Sequence, residues 1–397
     1  MKPPIAITAL ASFSPLGNSP KGIWEQYLNS KTLIVEKKIG NTSALVAPIA
    51  EELQAEVTAL RESDSKYKSL DNSVLYAILA SRQAVANAGW KDGDFGINLG
   101  SSRGATSLFE MHHEVFLATG KTPTLASPST TLGNISSWVA HDLKSQGPEI
   151  SHSITCSTAL HAVLNGVAWL RAGMADKFLV GGSEAPLTEF TIAQMKALKI
   201  YANPSETSEE FPCKAFDLTK TRNSMVLGEG ASVACLELGK KDNALAYIEG
   251  IGYATDTLQH SISITDEAEC FQKSMRMALA ATNYDEVDVV VMHAPGTLKG
   301  DSSEYKAVQK VFGASSSATQ VNLPMLTTNK WKIGHTFGAS GMLNIEMGIM
   351  MMQHNTFIGV PYIANHIRVL NPDRPIRKVL VNAVGFGGNA VSVLLSL

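Results

Sequence analysis

Hydrophobic positions alternate along the chain between short runs rich in β-branched residues and longer segments with apolar side chains at helical spacing. One helix is predicted over residues 71–88, and Gly89 follows as its C-terminal stop. Its apolar residues recur every few positions: Val74, Leu75, Ile78, Leu79 and Val85. A strand is predicted next, over residues 94–100. This alternation of strands and helices predicts an α/β fold.

The most apolar helix is predicted over residues 156–172, closed by Gly173. A strand predicted over residues 149–155 runs straight into it, and a buried strand follows over residues 178–182. The helix is apolar on nearly every side, with Leu160, Val163, Leu164, Val167 and Leu170. We therefore expect it to lie in the core.

The chain of 397 residues exceeds one ordinary domain and suits two domains or one duplicated domain. The polar run at residues 239–243 is the best candidate boundary, which divides the chain into an N-terminal half, 1–242, and a C-terminal half, 243–397. Residues 177–180 (Lys-Phe-Leu-Val) and 378–381 (Lys-Val-Leu-Val) form a short internal echo. An echo of four residues is weak support for duplication by itself.

The composition limits the classes of protein to which the chain can belong. A hydrophobic fraction of 45% against 17% charged residues predicts a large core, and a net charge of −3 makes nucleic acid a poor default partner. The first residues lack the features of a signal peptide, and the apolar stretch 338–352, interrupted by Asn344 and Glu346, is too short and polar for a membrane span. The four cysteines lie far apart without a CxxC pair, so we expect a reducing cytoplasm.

Cys156 carries the sharpest chemical signal. A thiol at the N-terminus of a helix meets unpaired N–H groups and the positive end of the helix dipole, and both favour the reactive thiolate. A lone cysteine is more often a packed structural residue, which is the interpretation we give to Cys213, Cys235 and Cys270. Cys156 differs because other candidate residues accompany it.

Two histidines and two glycine-containing runs accompany it in the second half. His293 follows the apolar strand predicted over residues 287–292, at the end where α/β folds place functional groups. His335 lies in the run 329–341, whose small residues allow close packing. Residues 382–388 (Asn-Ala-Val-Gly-Phe-Gly-Gly) follow the last long strand, and glycines there let backbone N–H groups face a ligand or an oxyanion. Singly, each histidine is more often structural and each run a tight turn.

Taken in this order, the motifs resemble the β-ketoacyl synthase family of the thiolase superfamily. The resemblance covers nearly the whole chain and includes residues 7–9, 14–18, 215–217 and 228–231. It implies a duplicated thiolase-like α/β fold. Each half would hold a mixed five-stranded sheet, and the layers would follow the order α/β/α/β/α.

The resemblance also implies catalytic roles. Cys156 would be the nucleophile that takes the acyl chain from a carrier-protein thioester. His293 and His335 would hold the carbonyl of a malonyl thioester and stabilise the enolate formed as carbon dioxide leaves, which is the pattern of the elongating branch of the family. Lys330 would order the site electrostatically. The backbone N–H groups of Cys156 and Phe386 would form the oxyanion hole.

Binding roles and partners follow from the same resemblance. The substrate or pantetheine arm would contact Thr297, Val384, Gly385 and Gly387. No metal site is expected and no cofactor held by the chain itself, because the phosphopantetheine belongs to the partner acyl carrier protein. The chain would form a homodimer, or a heterodimer with a homologue resembling a chain-length factor.

Several positions depart from the family pattern. Ala294 and Pro295 replace the glycine and first threonine that usually follow the histidine, Val384 stands where many members carry a gating phenylalanine, and Asn389-Ala390 replaces Thr-Asn. Asn344, nine residues after His335, occupies a position that is often glutamate. An amide there can accept a hydrogen bond from Lys330 but cannot neutralise its charge. These departures point to a specialised subgroup.

Three alternatives remain open at this stage. The chain could be the ketosynthase subunit of a specialised polyketide or aryl-polyene-type pathway, working with a chain-length-factor partner. It could be a non-catalytic scaffold or partner subunit that keeps the fold. It could also be a thiol hydrolase that uses Cys156 and one histidine, which would leave the other histidine unexplained.

Overall fold

The computed structural model describes residues 3–132, 134–206, 210–257, 264–313, 323–363 and 374–397. The strands in these ranges are β1 (Ile5–Phe13), β2 (Val35–Ile39), β3 (Thr42–Ala47), β4 (Gly96–Gly100), β5 (Glu149–His152), β6 (Lys177–Glu184), β7 (Leu227–Gly228), β8 (Gly230–Leu238), β9 (Ala246–Thr255), β10 (Val289–Val291), β11 (Met325–Thr327), β12 (Lys378–Gly385) and β13 (Asn389–Ser396).

The α-helices of the same ranges are α1 (Pro20–Leu28), α2 (Glu51–Ser63), α3 (Asn72–Ala88), α4 (Thr106–Thr119), α5 (Ala126–Thr130), α6 (Asn134–Leu143), α7 (Thr158–Arg171), α8 (Glu189–Ala197), α9 (Glu269–Ala278), α10 (Leu298–Gly313), α11 (Lys330–Ile333) and α12 (Ser340–His354). Short 3-10 helices cover Ser65–Tyr67, Pro204–Glu206, Tyr284–Glu286 and Phe337–Ala339. No helix of the described ranges is long and apolar enough to cross a membrane.

The sheet is built twice from the same plan. Five strands run in the order β5-β4-β6-β8-β1, and five more run in the order β11-β10-β12-β13-β9. In each set the first two pairings are parallel and the last two antiparallel. The two sets meet where residues 5–7 of β1 pair with residues 246–248 of β9, so the described strands join into one sheet of ten. A separate small sheet has the order β2-β3-β7.

Strand alternation sorts the core into layers. On β6, Phe178 and Val180 face a central cluster with α7 and α12, whereas Leu179 faces an outer cluster with α3 and α6. On β12, Val379 and Val381 face the same central cluster and Leu380 faces an outer one with α9 and α10. Side chains of a strand alternate between the faces of its sheet, so both sheets are covered on both faces. The layer order is therefore α/β/α/β/α.

The predicted duplicated fold is confirmed, with its two five-stranded sheets. The echo segments begin β6 and β12, which hold the same place in the two strand orders. The candidate boundary at residues 239–243 lies between β8 and β9. The division into 1–242 and 243–397 stays a prediction.

Two local predictions have different outcomes. The helix predicted over residues 71–88 is confirmed as α3, where the Asp71 side chain accepts from the Ser73 N–H and Gly89 ends the helix with φ of 71°. The strand that was expected to run into a helix at Cys156 is wrong. Strand β5 ends at His152 and α7 begins at Thr158, because Thr155 turns the chain with φ of 45°.

Candidate active site

A cavity of about 220 Å³ collects most of the residues that the sequence singled out. Its lining includes Cys156, His293, His335, Thr297, Val384, Gly385 and Phe386. The remaining wall is mainly apolar or small, with Leu198, Ile200, Met225, Ile264, Pro295, Gly300 and Phe337, beside Asn223 and Lys299. Lys330 and Gly387 are not part of the lining. We call this space the catalytic cavity.

Cys156 lies in a tight turn of the first half that contacts the second half. The Ser157 hydroxyl donates to the Asn389 side-chain oxygen at 2.7 Å, which ties this turn to the glycine-containing turn after β12. Gly385 lies so close to Thr155 that a Cβ there would collide with the threonine hydroxyl. Only glycine allows this approach, so residue 385 fixes how near the second half comes to the thiol.

The resting thiol is not a thiolate. Burial raises the pKa of Cys156 to about 12, and the carboxylate of Glu184 contributes to the rise. Lys330 and Arg103 act in the opposite direction but do not cancel it. Burial therefore opposes the helix N-terminus, which favours the thiolate, because desolvation disfavours the charged form.

His293 follows β10 on a backbone that one carboxylate holds. Glu304 on α10 accepts from the backbone N–H groups of His293 at 2.9 Å and of Ala294 at 2.8 Å. Ala294 has φ of 26°, a region that favours glycine and the position where the family pattern has glycine. The two bonds to Glu304 hold this strained turn in place and direct the imidazole into the catalytic cavity.

His335 is fixed through its backbone to β7. Its N–H donates to the Val226 carbonyl at 2.6 Å, and its own carbonyl accepts from Gly228 at 3.1 Å. The His335 ring meets the His293 ring edge to face, with centroids 5.1 Å apart and planes at 83°. The Nδ1 atom of neither ring has a hydrogen-bond partner among the described residues.

Both imidazoles are neutral at physiological pH. Burial lowers the pKa of His293 well below its usual value, and the neighbouring His335 and Lys330 add to the effect. Burial, followed by Lys330, lowers the pKa of His335 to about 3. A neutral imidazole has one N–H donor and one acceptor nitrogen. The two rings can therefore each donate one hydrogen bond to an oxygen atom without giving up a proton.

Lys330 lies behind the cavity wall and is 1% exposed. Its ammonium group donates to the side-chain oxygens of Asn329 at 3.1 Å and Asn344 at 3.0 Å, as the sequence suggested for Asn344. Burial lowers the pKa of Lys330 to about 8, and the charge of Glu304 is the largest influence that limits the fall. From this position its positive charge helps to lower the pKa of both His293 and His335.

The predicted binding residues occupy the mouth and one wall. Thr297 lies just before α10, where its hydroxyl accepts from the Gly300 N–H at 3.1 Å. Val384 is buried at the end of β12, whereas Phe386 is 36% exposed in the turn that follows. Gly387 has φ of 95° and shapes this turn without lining the cavity. The turn is closed by a bond from the Gly388 N–H to the Gly385 carbonyl at 3.0 Å.

Sequence reasoning missed three buried acids near the site. Glu304 holds the His293 turn, and Glu184 accepts from the backbone N–H groups of Ser102 and Gly338. Asp301 pairs with Lys220 at 2.6 Å and accepts from the Phe216 and Gly296 N–H groups. Asp301 and Glu304 share a face of α10 with Ala307, Val308 and Val311. Acidic residues among the apolar positions of one helix face are the sequence feature that could have revealed these two buried acids.

Comparison with known proteins agrees with this geometry. Models of the β-ketoacyl synthase N-terminal and C-terminal domains match residues 2–242 and 245–362. The 3-oxoacyl-[acyl-carrier-protein] synthase 2 of Coxiella burnetii is 27% identical over 99% of this chain and 98% of its own length. Nodulation protein E of a Rhizobium species is also 27% identical, with 98% of each chain covered.

Solved structures share the fold at lower identity. The ishigamide ketosynthase/chain length factor superposes with a TM-score of 0.81 at 21% identity, over 100% of this chain and 99% of that one. A β-ketoacyl synthase from Burkholderia phymatum STM815 gives a TM-score of 0.82 at 22% identity, with the same coverage. The two family models together span most of the sequence and meet between β8 and β9. On these grounds the chain belongs to the β-ketoacyl synthase family of the thiolase superfamily.

Proposed function

We propose that this chain is a 3-oxoacyl-[acyl-carrier-protein] synthase, an acyltransferase that performs decarboxylative Claisen condensation. The observation that carries the proposal is the meeting of one thiol and two neutral imidazoles in a single cavity, Cys156 with His293 and His335. Relatives across nearly the full length are named 3-oxoacyl-[acyl-carrier-protein] synthase 2, which supports the same chemistry.

In the first half-reaction, the Cys156 sulfur attacks the carbonyl carbon of an acyl thioester. Because burial keeps the resting thiol protonated, its proton must pass to the neutral imidazole of His293 as the carbon–sulfur bond forms. The backbone N–H groups of Cys156 and Phe386 would stabilise the tetrahedral oxyanion. The carrier's pantetheine thiolate leaves and takes the proton, and the acyl group remains on Cys156.

In the second half-reaction, the pantetheine arm of a malonyl thioester enters the space that the arm of the first carrier protein has left. Its carboxylate leaves as carbon dioxide, and the electron pair of the broken bond forms an enolate whose oxygen receives hydrogen bonds from His293 and His335. The enolate carbon attacks the acyl-Cys156 carbonyl, and the Cys156 sulfur leaves as a thiolate that takes a proton from solvent water. Neutral rings suit this step, because an imidazolium would protonate the enolate and waste the malonyl unit.

The groups that surround the reacting atoms have supporting roles in this proposal. Lys330 would hold both imidazoles neutral through its charge. Thr297, Val384, Gly385 and Gly387 would form the contact with the pantetheine arm, which the acyl carrier protein brings as the only prosthetic group. The composition and the separated, buried cysteines support a cytoplasmic setting.

A partner subunit is part of the proposal. Helix α4 exposes five large apolar side chains around its axis, Phe109, Met111, Val115, Phe116 and Leu117, each at least 38% exposed. An apolar surface of this kind is typical of a subunit interface. The partner is a second copy of this chain, or a chain-length-factor homologue if the chain serves a specialised polyketide pathway. Light scattering of the purified chain and co-purification from its host distinguish these two assemblies.

The proposal is tested by intact-protein mass spectrometry. Incubation with a panel of acyl carrier proteins should add the mass of the acyl group, and Cys156→Ala should add none. Malonyl carrier protein added next should release a 3-oxoacyl product with one extra two-carbon unit. His335→Gln should keep the adduct but slow the condensation about 100-fold or more, because a hydrogen bond to the enolate is lost.

Two results would contradict the proposal. Release of the free carboxylic acid without carbon–carbon bond formation would favour the thiol hydrolase. Absence of an adduct across the panel, with or without the chain-length-factor partner, would favour the non-catalytic scaffold.

A further inference from the structure

A second cavity of about 320 Å³ lies apart from the catalytic cavity and shares no lining residue with it. It opens where the two halves of the sheet diverge. Strand β1 pairs with β8 along its length but with β9 only over residues 5–7. From residue 8 to residue 12, the other edge of β1 pairs with no described strand and faces this second cavity.

The floor of the second cavity carries an unusual acid. Glu346 on α12 is 2% exposed, and its Oε2 atom has no hydrogen-bond partner among the described residues. No lysine, arginine or histidine of the described ranges forms an ion pair with it, and the polar side chains that interact with it electrostatically include Ser12 and Tyr27. Burial raises the pKa of Glu346 to about 7. A carboxyl group with an unused oxygen is costly in a protein interior, where buried charges are normally paired.

The walls and the rim differ in character. The walls are apolar, with Leu10, Ile23, Leu245, Ile349 and Met350. The rim carries the amide side chains of Asn18, Gln83, Asn87, Asn243 and Gln353. A few polar groups converging on a largely apolar cavity are typical of small-molecule sites. The single acid on the floor selects for a positively charged donor, because it is the one ionisable group in this lining.

We propose that the second cavity is a binding site for a small molecule with a protonated amine and a short aliphatic body. The ammonium group would donate to Glu346, the aliphatic part would contact the apolar walls, and the amides of the rim would bind any polar end. Neither Cys156 nor the histidines take part, so the site would be occupied whether or not the chain condenses acyl thioesters.

The probe is n-butylammonium, titrated into full-length protein labelled at the isoleucine δ1 methyl groups. Ile23 and Ile349 line the second cavity, whereas Ile200 and Ile264 line the catalytic cavity and serve as internal controls. We expect saturable methyl shifts at Ile23 and Ile349 and none at Ile200 and Ile264. The neutral analogue 1-butanol should bind at least about tenfold more weakly, because it lacks the charge-assisted hydrogen bond.

Two variants make the test specific. Glu346→Gln preserves the size of the side chain and should weaken butylammonium binding at least about tenfold, to the level of 1-butanol. Gln353→Trp changes an exposed rim residue, so its folding is secure, and it should block entry of both probes. Cys156→Ala should bind butylammonium as the unmodified chain does while losing acylation, which separates this site from the proposed function.

Three outcomes would overturn the proposal. Methyl shifts confined to Ile200 and Ile264 would assign the amine to the catalytic cavity. Equal affinity for butylammonium and 1-butanol, or for the unmodified chain and Glu346→Gln, would remove the role of the acid. Absence of any shift at Ile23 and Ile349 would mean that water alone fills the space.

Discussion

The substitution Asn344→Glu restores a carboxylate beside the buried ammonium group of Lys330. The Asn344 side-chain oxygen is 3.0 Å from the Lys330 Nζ atom, so a glutamate at this position can reach the same hydrogen bond. Among the described residues, the Lys330 ammonium group donates to amide oxygens only, and burial lowers its pKa to about 8 despite the more distant charge of Glu304. We expect the added negative charge to reverse much of that fall.

The magnitude follows from the distance. Two unit charges about 3 Å apart at an effective dielectric constant of about 20 attract by roughly 5 kcal/mol, of which desolvation of the new carboxylate removes part. An adjacent opposite charge typically shifts a pKa by about 1 to 3. The pKa of Lys330 should therefore rise from about 8 to roughly 9–11.

The same change alters the dependence of stability on pH. The pKa of Lys330 in the folded chain is below its unfolded value of 10.5, so the unfolded chain binds more protons between pH 8 and 10.5. The free energy of unfolding of the unmodified chain should thus rise through that window, by roughly 3 kcal/mol in all. In Asn344→Glu the rise should shrink and move to higher pH.

The direct assay is a pH titration of the lysine Cε resonance by NMR, paired with the pH profile of condensation. The control is Asn344→Gln, which adds the same methylene group without adding charge but keeps an amide NH₂ group that can donate to the Met292 and Asn382 carbonyls. In Asn344→Glu the midpoint and the alkaline limb should both move upward. Midpoints of the two variants that agree within about half a pH unit would refute the reasoning.

Three further substitutions test the contacts around Cys156. Gly385→Ala forces a Cβ into the Thr155 hydroxyl, so it should lower the free energy of unfolding by about 3 kcal/mol in thermal denaturation and abolish acylation. The control is Gly120→Ala, at a left-handed glycine with open space around it, which should lower the free energy of unfolding by only about 1–2 kcal/mol. Equal losses in the two variants would contradict the steric explanation. Ser157→Ala should lower the free energy of unfolding by about 1 kcal/mol, and a double-mutant cycle with Asn389→Ala should show coupling between the two side chains. If the two losses of stability are additive, the 2.7 Å hydrogen bond between Ser157 and Asn389 does not form. Glu184→Gln should lower the pKa of Cys156 and move its alkylation by iodoacetamide to lower pH. The control is Glu229→Gln, at another buried acid that is not among the groups shifting the pKa of Cys156, and it should leave the alkylation profile unchanged. Identical profiles for the two variants would exclude Glu184 as a cause of the raised pKa.

Much of the fold could be predicted because its signals are local. The apolar spacing of α3, its Asp71 cap and the Gly89 stop lie within one stretch of sequence, and each acts through neighbouring residues. Cys156 and His293 were singled out because each sits where a predicted strand ends, and His335 because small residues surround it in the run 329–341. Their meeting in one cavity depends on the packing of the two halves, which local spacing does not encode and which the family resemblance supplied.

The failures have the opposite character. The raised pKa of Cys156 could not be predicted because a helix N-terminus is visible in sequence, whereas burial and the charge of Glu184 are not. The helix start was placed too early because no residue type announces that Thr155 adopts a left-handed backbone. Glu304 was missed because it acts through two backbone N–H groups of a segment eleven residues earlier, which a search for side-chain chemistry does not inspect.

The duplicated sheet explains why one half holds the thiol and the other the second histidine. Strands β5 and β11 occupy the same place in the two strand orders. Residues 153–157 connect β5 to α7, whereas residues 328–339, which include α11 and a 3-10 helix, connect β11 to α12. Cys156 precedes α7 by two residues and His335 precedes α12 by five. The first half therefore presents the Cys156 thiol, and the second half the His335 imidazole, to the same cavity. In the proposed condensation, the acyl group on Cys156 and the enolate held by His335 must meet, and the packing of the two halves brings these two side chains to one cavity.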